Sequence, residues 1–269
     1  MSTDRPTEIP SNKIPTVVVD DLHVRYRVIL GTGAGSAAGA LRSLLSGKSP
    51  GQLVKSVHAV KGVSLMAFEG DTIGLIGRNG SGKSSLLKAI AGLLQPSQGD
   101  VYTASRATLL GVNGALNKAV SGNRNITIGG LAMGMTRADV QAIRAEVIEF
   151  ADLAEFIDLP MGTYSSGMQA RLRFSIAAAR QHEILLVDEI LSTGDTEFRA
   201  RSQAKIRELT NSAGTVFLVA HSQTMIREVC NRAIWIDKGV IKLDGETETV
   251  LAAYEADIKE KKTAKEAGQ

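Results

Sequence analysis

Eight residues constrain the fold more than any other stretch of the chain: Gly77-Arg78-Asn79-Gly80-Ser81-Gly82-Lys83-Ser84. They fit the phosphate-binding pattern G-x-x-x-x-G-K-[ST], and the flanking sequence has the order such a loop needs. The apolar run Thr72–Ile76 reads as a buried strand that feeds the loop, and residues 84–91 read as the helix that leaves it, ending near Gly92. Gly80 and Gly82 let the backbone approach phosphates without an intervening Cβ. The amides of the turn and of the helix N-terminus then aim partial positive charge at the β- and γ-phosphates. Lys83 adds a full charge, and the Ser84 hydroxyl stands where it can ligate Mg²⁺. With Ser85, these eight residues are the candidate nucleotide-binding set.

A second apolar run, Ile184–Val187, ends on Asp188-Glu189. Carboxylates at the C-terminal end of a strand in an open α/β sheet lie where such sheets bind ligands. Asp188 is suited to hold Mg²⁺, directly or through water, and Glu189 to polarise the water that attacks the γ-phosphorus.

Between and around these runs strand patterns alternate with helical ones, which implies an α/β core with a mainly parallel sheet. Strand alternation covers residues 17–27 and 59–68, with a glycine-rich flexible stretch and a short amphipathic helix candidate at 40–45 between them. Helical spacing runs from about Arg137 to Phe156 and again from Ser165-Ser166-Gly167 through Ala177. Residues 115–180 are therefore expected to form a helical lobe inserted into the core. After it come a helix over 197–209, the strand 215–220, a helix over 224–230, and a hairpin turned at Asp237-Lys238-Gly239. Residues 1–15 read as a loose arm, 16–254 as the folded domain, and the Lys- and Glu-rich tail 255–269 as helical or disordered.

Composition excludes several classes. Charged residues make up 22% of the chain, and 31 basic residues against 28 acidic give +3, too slight an excess to signal nucleic-acid binding. Cys230 stands alone, so a disulfide framework is excluded and a reducing compartment fits. The N-terminus lacks a secretory pattern, and no apolar run approaches the roughly 20 residues that span a bilayer. A cytoplasmic protein is expected, with any membrane role supplied by a partner.

Ser165-Ser166-Gly167-Met168-Gln169 resembles the signature segment of ABC-type ATPases, and it lies between the phosphate loop and the acidic strand as it does in that family. Ser192-Thr193-Gly194-Asp195 occupies the position of the family's loop that crosses to the partner subunit, and His221 the switch-histidine position. The resemblance covers roughly residues 16–250. It implies a P-loop NTPase fold of the ABC ATPase type, with an antiparallel β part beside the mainly parallel sheet. It also implies a head-to-tail homodimer, each ATP held between the loop of one copy and Ser166, Gly167 and Gln169 of the other. His221 would contact the γ-phosphate and orient Glu189 and the water. The family usually stacks adenine on an aromatic residue at the position of His58, with Tyr26 as an alternative here. Its Mg²⁺-linked glutamine has no counterpart near Leu109–Gly114, where Asn113 is the nearest amide.

These departures, with Ser121-Gly122-Asn123-Arg124-Asn125-Ile126 and Tyr164-Ser165-Ser166-Gly167-Met168, look like the polysaccharide-exporting branch of the family, and most like the actinobacterial ATPases of lipid-linked galactan export. The branch implies separate integral membrane permease subunits, a polysaccharide-lipid cargo and a peripheral place on the cytoplasmic face of the membrane. The stretch 27–57 also suits this branch, and no room is expected for the C-terminal carbohydrate-binding sandwich of some members. The alternative is a soluble ABC ATPase acting on nucleic acid or ribosomes, which would be expected to carry two cassettes or a long coiled coil.

Overall fold

In a computed structural model that describes residues 13–30, 53–110, 116–188, 196–220 and 222–267, the chain begins with a long ribbon. Strand β1 (Pro15–Leu30) pairs antiparallel with β2 (Leu53–Phe68), from Pro15 opposite Phe68 to Leu30 opposite Leu53. Alternating apolar residues mark only the inner halves of these strands. The outer halves lie in the stretch 27–57, where the two strands pair out to Leu30 and Leu53. The helix candidate at 40–45 lies outside the described residues. Strand β4 (Gln98–Thr103) joins the other edge of β1 to complete a three-stranded sheet. Its residues are exposed or half-buried, which leaves it without an apolar signature in the sequence.

Strands β3 (Thr72–Ile76), β5 (Ala107–Leu109), β6 (Ile184–Val187), β7 (Thr215–Leu218), β8 (Arg232–Asp237) and β9 (Val240–Glu246) form a second sheet in the order β5-β6-β7-β3-β8-β9. Its pairs are parallel except β8 with β9, which form the expected hairpin. Lys238 and Gly239 turn that hairpin with φ of 51° and 89°. Two successive left-handed residues match the twist of the strands they join.

The central strands are almost continuously apolar because both faces are covered, with Thr72 and Thr215 at the starts of β3 and β7. Ile184 and Leu186 of β6 face a core shared with the three-stranded sheet, where Val17, Val24, Val63 and Leu65 meet Ile73, Leu75 and Ile234. Leu86 and Leu87 of helix α1 (Lys83–Ile90) complete this layer. Leu185 and Val187 point the other way, as strand geometry requires. There they meet residues of the later helices. The lobe helices are α2 (Gly122–Ala132), α3 (Arg137–Ala151) and α4 (Ser166–Ala178); α5 (Thr196–Ser212), α6 (Gln223–Val229) and α7 (Thr247–Ala267) follow. Phe174, Phe198, Ile226 and Leu251 from α4 to α7 fill the second core. Each fully buried Leu, Ile or Phe contributes about 1.5–3 kcal/mol.

The helices α2 to α4 close over a third cluster containing Ile126, Val140, Val147, Leu153, Met161, Tyr164 and Leu172. A reciprocal cap between Thr136 and Asp139 starts α3. The helix stops at Ala151, short of the Phe156 suggested by apolar spacing, because Asp152 turns left-handed at φ 53°. Leu153 and Ile157 then return to the same cluster from an irregular segment, which is why their spacing imitates a longer helix. Helix α7 runs through residue 255 without a break, with Glu255 paired to Arg227 at 2.8 Å. Among the described residues no helix is long and apolar enough to cross a membrane.

Candidate functional site

Because β3 ends at the middle of its sheet, the loop at 77–84 opens onto the C-terminal edge shared with β6 and β7. A cavity of about 610 Å³ lies there, lined by Asn79, Gly80, Ser81, Gly82, Lys83, Ser84 and Ser85 from the loop and α1. Asp188 and Val219 close it from the ends of β6 and β7, and Tyr26, His58 and Lys61 from the ribbon.

The loop is held by close backbone packing on both sides. A Cβ on Gly77 (φ 145°) would stand 2.1 Å from the Ile236 carbonyl oxygen, and one on Gly82 (φ 111°) 2.4 Å from that of Ala59. The hairpin tip fastens it further: Gly239 N–H donates to the Ser81 carbonyl at 2.9 Å, and Lys61 N–H donates to the Gly239 carbonyl at 2.8 Å. A Cβ on Gly80 would meet only open space, so that backbone faces the cavity bare. Ser81 Oγ is buried and makes no hydrogen bond among the described residues.

Lys83 folds back over the loop, its Nζ donating to the carbonyls of Gly77 at 2.7 Å and Arg78 at 3.1 Å. Burial lowers its proton affinity, and the Asp188 carboxylate opposes that shift. Ser84 Oγ donates to Asp188 Oδ1 at 3.3 Å, joining the two sequence motifs across 104 positions. A hydroxyl and one buried carboxylate beside a phosphate-sized cradle are hard oxygen donors of the kind Mg²⁺ takes, the remaining positions going to water and phosphate. These residues fit the ion.

His58 and Tyr26, the two candidates for the base, both line the cavity. They take different roles there. Tyr26 spends its hydroxyl on Ser85 Oγ at 3.1 Å, whereas the His58 ring meets His23 Nδ1 through its Nε2 at 3.0 Å.

At the start of α4, Ser165 is the N-cap, accepting from the Met168 amide at 3.1 Å. That leaves Ser166 exposed, one residue inside the helix. Gln169 donates to the Tyr164 carbonyl and accepts from Arg173, so its amide anchors the helix start. Ser166, Gly167 and Gln169 do not line the cavity of their own chain, and neither does exposed Arg78. Glu189, the 192–195 loop, His221 and Asn113 lie outside the described residues.

Sequence reasoning passed over five lining residues, Val57, Ala59, Lys61, Val219 and Lys238. Val57 and Lys61 flank the His58 position, and that proximity is a usable signal. Lys238 is read from sequence only as a turn residue, since nothing local indicates that the turn docks on the loop.

Residues 60–192 match the family model described as ABC transporter. The chain is 42% identical over 201 residues to the teichoic acids export ATP-binding protein TagH of Staphylococcus saprophyticus, covering 75% of this chain and 76% of that protein. It is 41% identical over 211 residues to the O-antigen export system ATP-binding protein RfbB of Myxococcus xanthus, covering 78% of this chain and 48% of the relative. In fold it is similar to the ATP-binding cassette MJ0796, solved as a dimer in a post-hydrolysis state with ADP and Pi. The TM-score is 0.63 at 19% identity, with 86% of this chain and 98% of that one covered. These relatives do not favour the nucleic-acid alternative.

Proposed function

The chain belongs to the ABC transporter family, and on that premise we propose that it is the ATP-hydrolysing subunit of an exporter for a polysaccharide or lipid-linked polysaccharide. The observation that carries the reading is the contact between Ser84 and Asp188, which puts the phosphate loop and the acidic strand end in one cavity. A teichoic acid or O-antigen class of cargo is supported by what the similar proteins are named for exporting, and cell-wall galactan by the sequence of the signature region alone.

In this reading the loop amides, Lys83 and the N-terminus of α1 bind and orient the triphosphate. Ser84 and Asp188 would hold Mg²⁺, which when bound neutralises charge on the β- and γ-phosphate oxygens. Glu189, next in the chain after Asp188, is the proposed base for the attacking water, and His221 the residue that holds both in line. Two copies close head to tail, so that Ser166 and Gly167 of one face the nucleotide of the other. The exposed Ser166 hydroxyl at a helix N-terminus, remote from its own cavity, supports that arrangement. Closure and reopening would pass through the α2–α4 lobe to permease subunits in the membrane, with the chain on the cytoplasmic face.

The test is Glu189→Gln. The variant is expected to bind ATP, lose steady-state turnover and become a dimer in ATP by light scattering. Undiminished hydrolysis would remove Glu189 from its role, and failure of the wild type to bind ATP would sink the nucleotide reading. For cargo, depletion of the chain in its host should make lipid-linked polymer accumulate inside the cytoplasmic membrane; normal surface polymer would refute the export assignment.

A further inference from the structure

Behind the wall of the nucleotide cavity stands a hydrogen-bonded chain of three side chains. His58 lines the cavity, and its Nε2 lies 3.0 Å from Nδ1 of His23, which stands behind it. The rings are stacked, with centroids 5.1 Å apart. His23 Nε2 lies 3.2 Å from Asp21 Oδ1, and Asp21 Oδ2 accepts from Gln98 at 2.9 Å.

The backbone is built to make this chain. Asp21 sits left-handed, φ 44°, where β1 slips register against both β2 and β4. Such bulges re-aim side chains beside functional sites. Here the bulge turns the Asp21 carboxylate onto His23, two residues along. Its amide is tied to Ser64 Oγ at 2.9 Å. Gly62 leaves the space: a Cβ there would stand 3.0 Å from Asp21 Oδ1 and 3.4 Å from His23 Nε2.

The bonds fix the proton positions. A carboxylate only accepts, so His23 carries its proton on Nε2. The bare Nδ1 of a neutral His23 accepts from His58 Nε2–H.

We propose that His23 is a positioning residue for nucleotide binding: anchored by Asp21, it fixes the plane and tautomer of His58, so that a neutral imidazole meets the base and a proton on His58 weakens the site. This rests on the nucleotide reading above. The groups facing His58 favour the neutral ring. Burial comes first, then the charges of Arg25, His23 and Lys61; a backbone hydrogen bond with Val60 opposes them, and the net shift is downward. Lys83 and Lys238 add positive charge around the same cavity. Asp21 backs the pair from behind and Asp188 lies with Ser84 at the phosphate end. A base laid over His58 removes further water from the ring and makes a charge there costlier still. The phosphates, which attract a proton, bind at the other end against Lys83.

The experiment measures ADP binding by calorimetry from pH 7.5 to 5.5 for the wild type, His58→Phe and Asp21→Asn. The phosphates' own titration is common to all three and cancels in the ratios. Between pH 7.5 and 5.5 the wild-type Kd should rise at least about threefold more than that of His58→Phe, with tenfold per pH unit the ceiling for one proton. Asp21→Asn removes the acceptor that holds the His23 proton on Nε2, so it frees the His58 ring and should raise the Kd for ADP at pH 7.5; an unchanged Kd would overturn the positioning role. Nitrogen-15 NMR of the histidine rings without nucleotide should find His23 as the Nε2–H tautomer, lost in Asp21→Asn. Parallel pH profiles in the wild type and His58→Phe, or an Nδ1–H His23, would overturn the proposal while leaving nucleotide binding intact. Absence of ADP binding at pH 7.5 in the wild type would instead mark failure of the nucleotide reading itself.

Discussion

Replacing Gly239 with Ala tests whether the phosphate loop owes its shape to the β8–β9 hairpin tip, a segment outside the loop's own sequence. Gly239 sits at φ 89°, where an alanine pays about 1 kcal/mol for the left-handed backbone. Its new Cβ would lie 2.7 Å from the Ala59 carbonyl oxygen and 3.2 Å from the Ala59 carbonyl carbon. Both are backbone atoms of a paired strand and cannot swing aside, so the tip must lift. Lifting stretches the bonds from Gly239 N–H to the Ser81 carbonyl and from Lys61 N–H to the Gly239 carbonyl, at about 1 kcal/mol each. The sum is about 3 kcal/mol of stability, readable as a drop in the urea midpoint at constant slope. The Ser81 carbonyl belongs to the loop, so about half of that loss should appear in binding, roughly tenfold in the Kd for ADP. A midpoint shift worth less than about 0.5 kcal/mol together with an unchanged Kd would show that the loop holds itself and refute the argument.

Three further outcomes follow from single residues. Burial pushes the Cys230 thiol up to about 12, so at pH 8 only about one molecule in ten thousand carries the thiolate; iodoacetamide labelling should be negligible in the folded chain and rapid in urea. His182 bonds the Ala177 carbonyl at 2.8 Å, and burial holds its affinity for a proton below the ordinary 6.5. The unfolded chain therefore binds more protons below pH 6.5. Stability should fall with pH from there until the native ring protonates, and thermal melts of His182→Gln should show a shallower fall. Ser165→Ala removes the N-cap of α4 and should cost about 1 kcal/mol, whereas Ser166→Ala should leave stability unchanged and lower ATP-driven dimerisation, both read by denaturation and light scattering.

What the sequence discloses depends on how local the cause is. Strands β3 and β6 are legible to the residue, since both faces of each are covered and the run is almost continuously apolar. The loop at 77–84 is legible because Gly77, Gly80 and Gly82 take positive φ, which favours glycine whatever they pack against. Strand β4 is illegible because its register is imposed by β1 and its side chains are exposed or half-buried. The same divide runs through the site. Ser84 and Asp188 are named by motif, yet their contact needs the strand order β6-β7-β3, which no motif states. His23 reads from sequence as one more polar residue on a half-buried strand. Its bond to His58 depends on the Asp21 bulge, and the register slip leaves no compositional trace.

The outer ribbon has a consequence for what can be grafted onto this protein. Leu30 faces Leu53, so the two strands end at points about 5 Å apart. The price of closing a flexible insert between such points grows only logarithmically, about 0.6 kcal/mol for each doubling of length. Register, meanwhile, is locked deeper in the ribbon by Val17, Leu22, Val24, Val60 and Leu65, whose burial forbids a one-residue slip. Joining Leu30 to Leu53 through another sequence, or through a reporter domain, should therefore leave the strands that carry His23 and His58 in alignment.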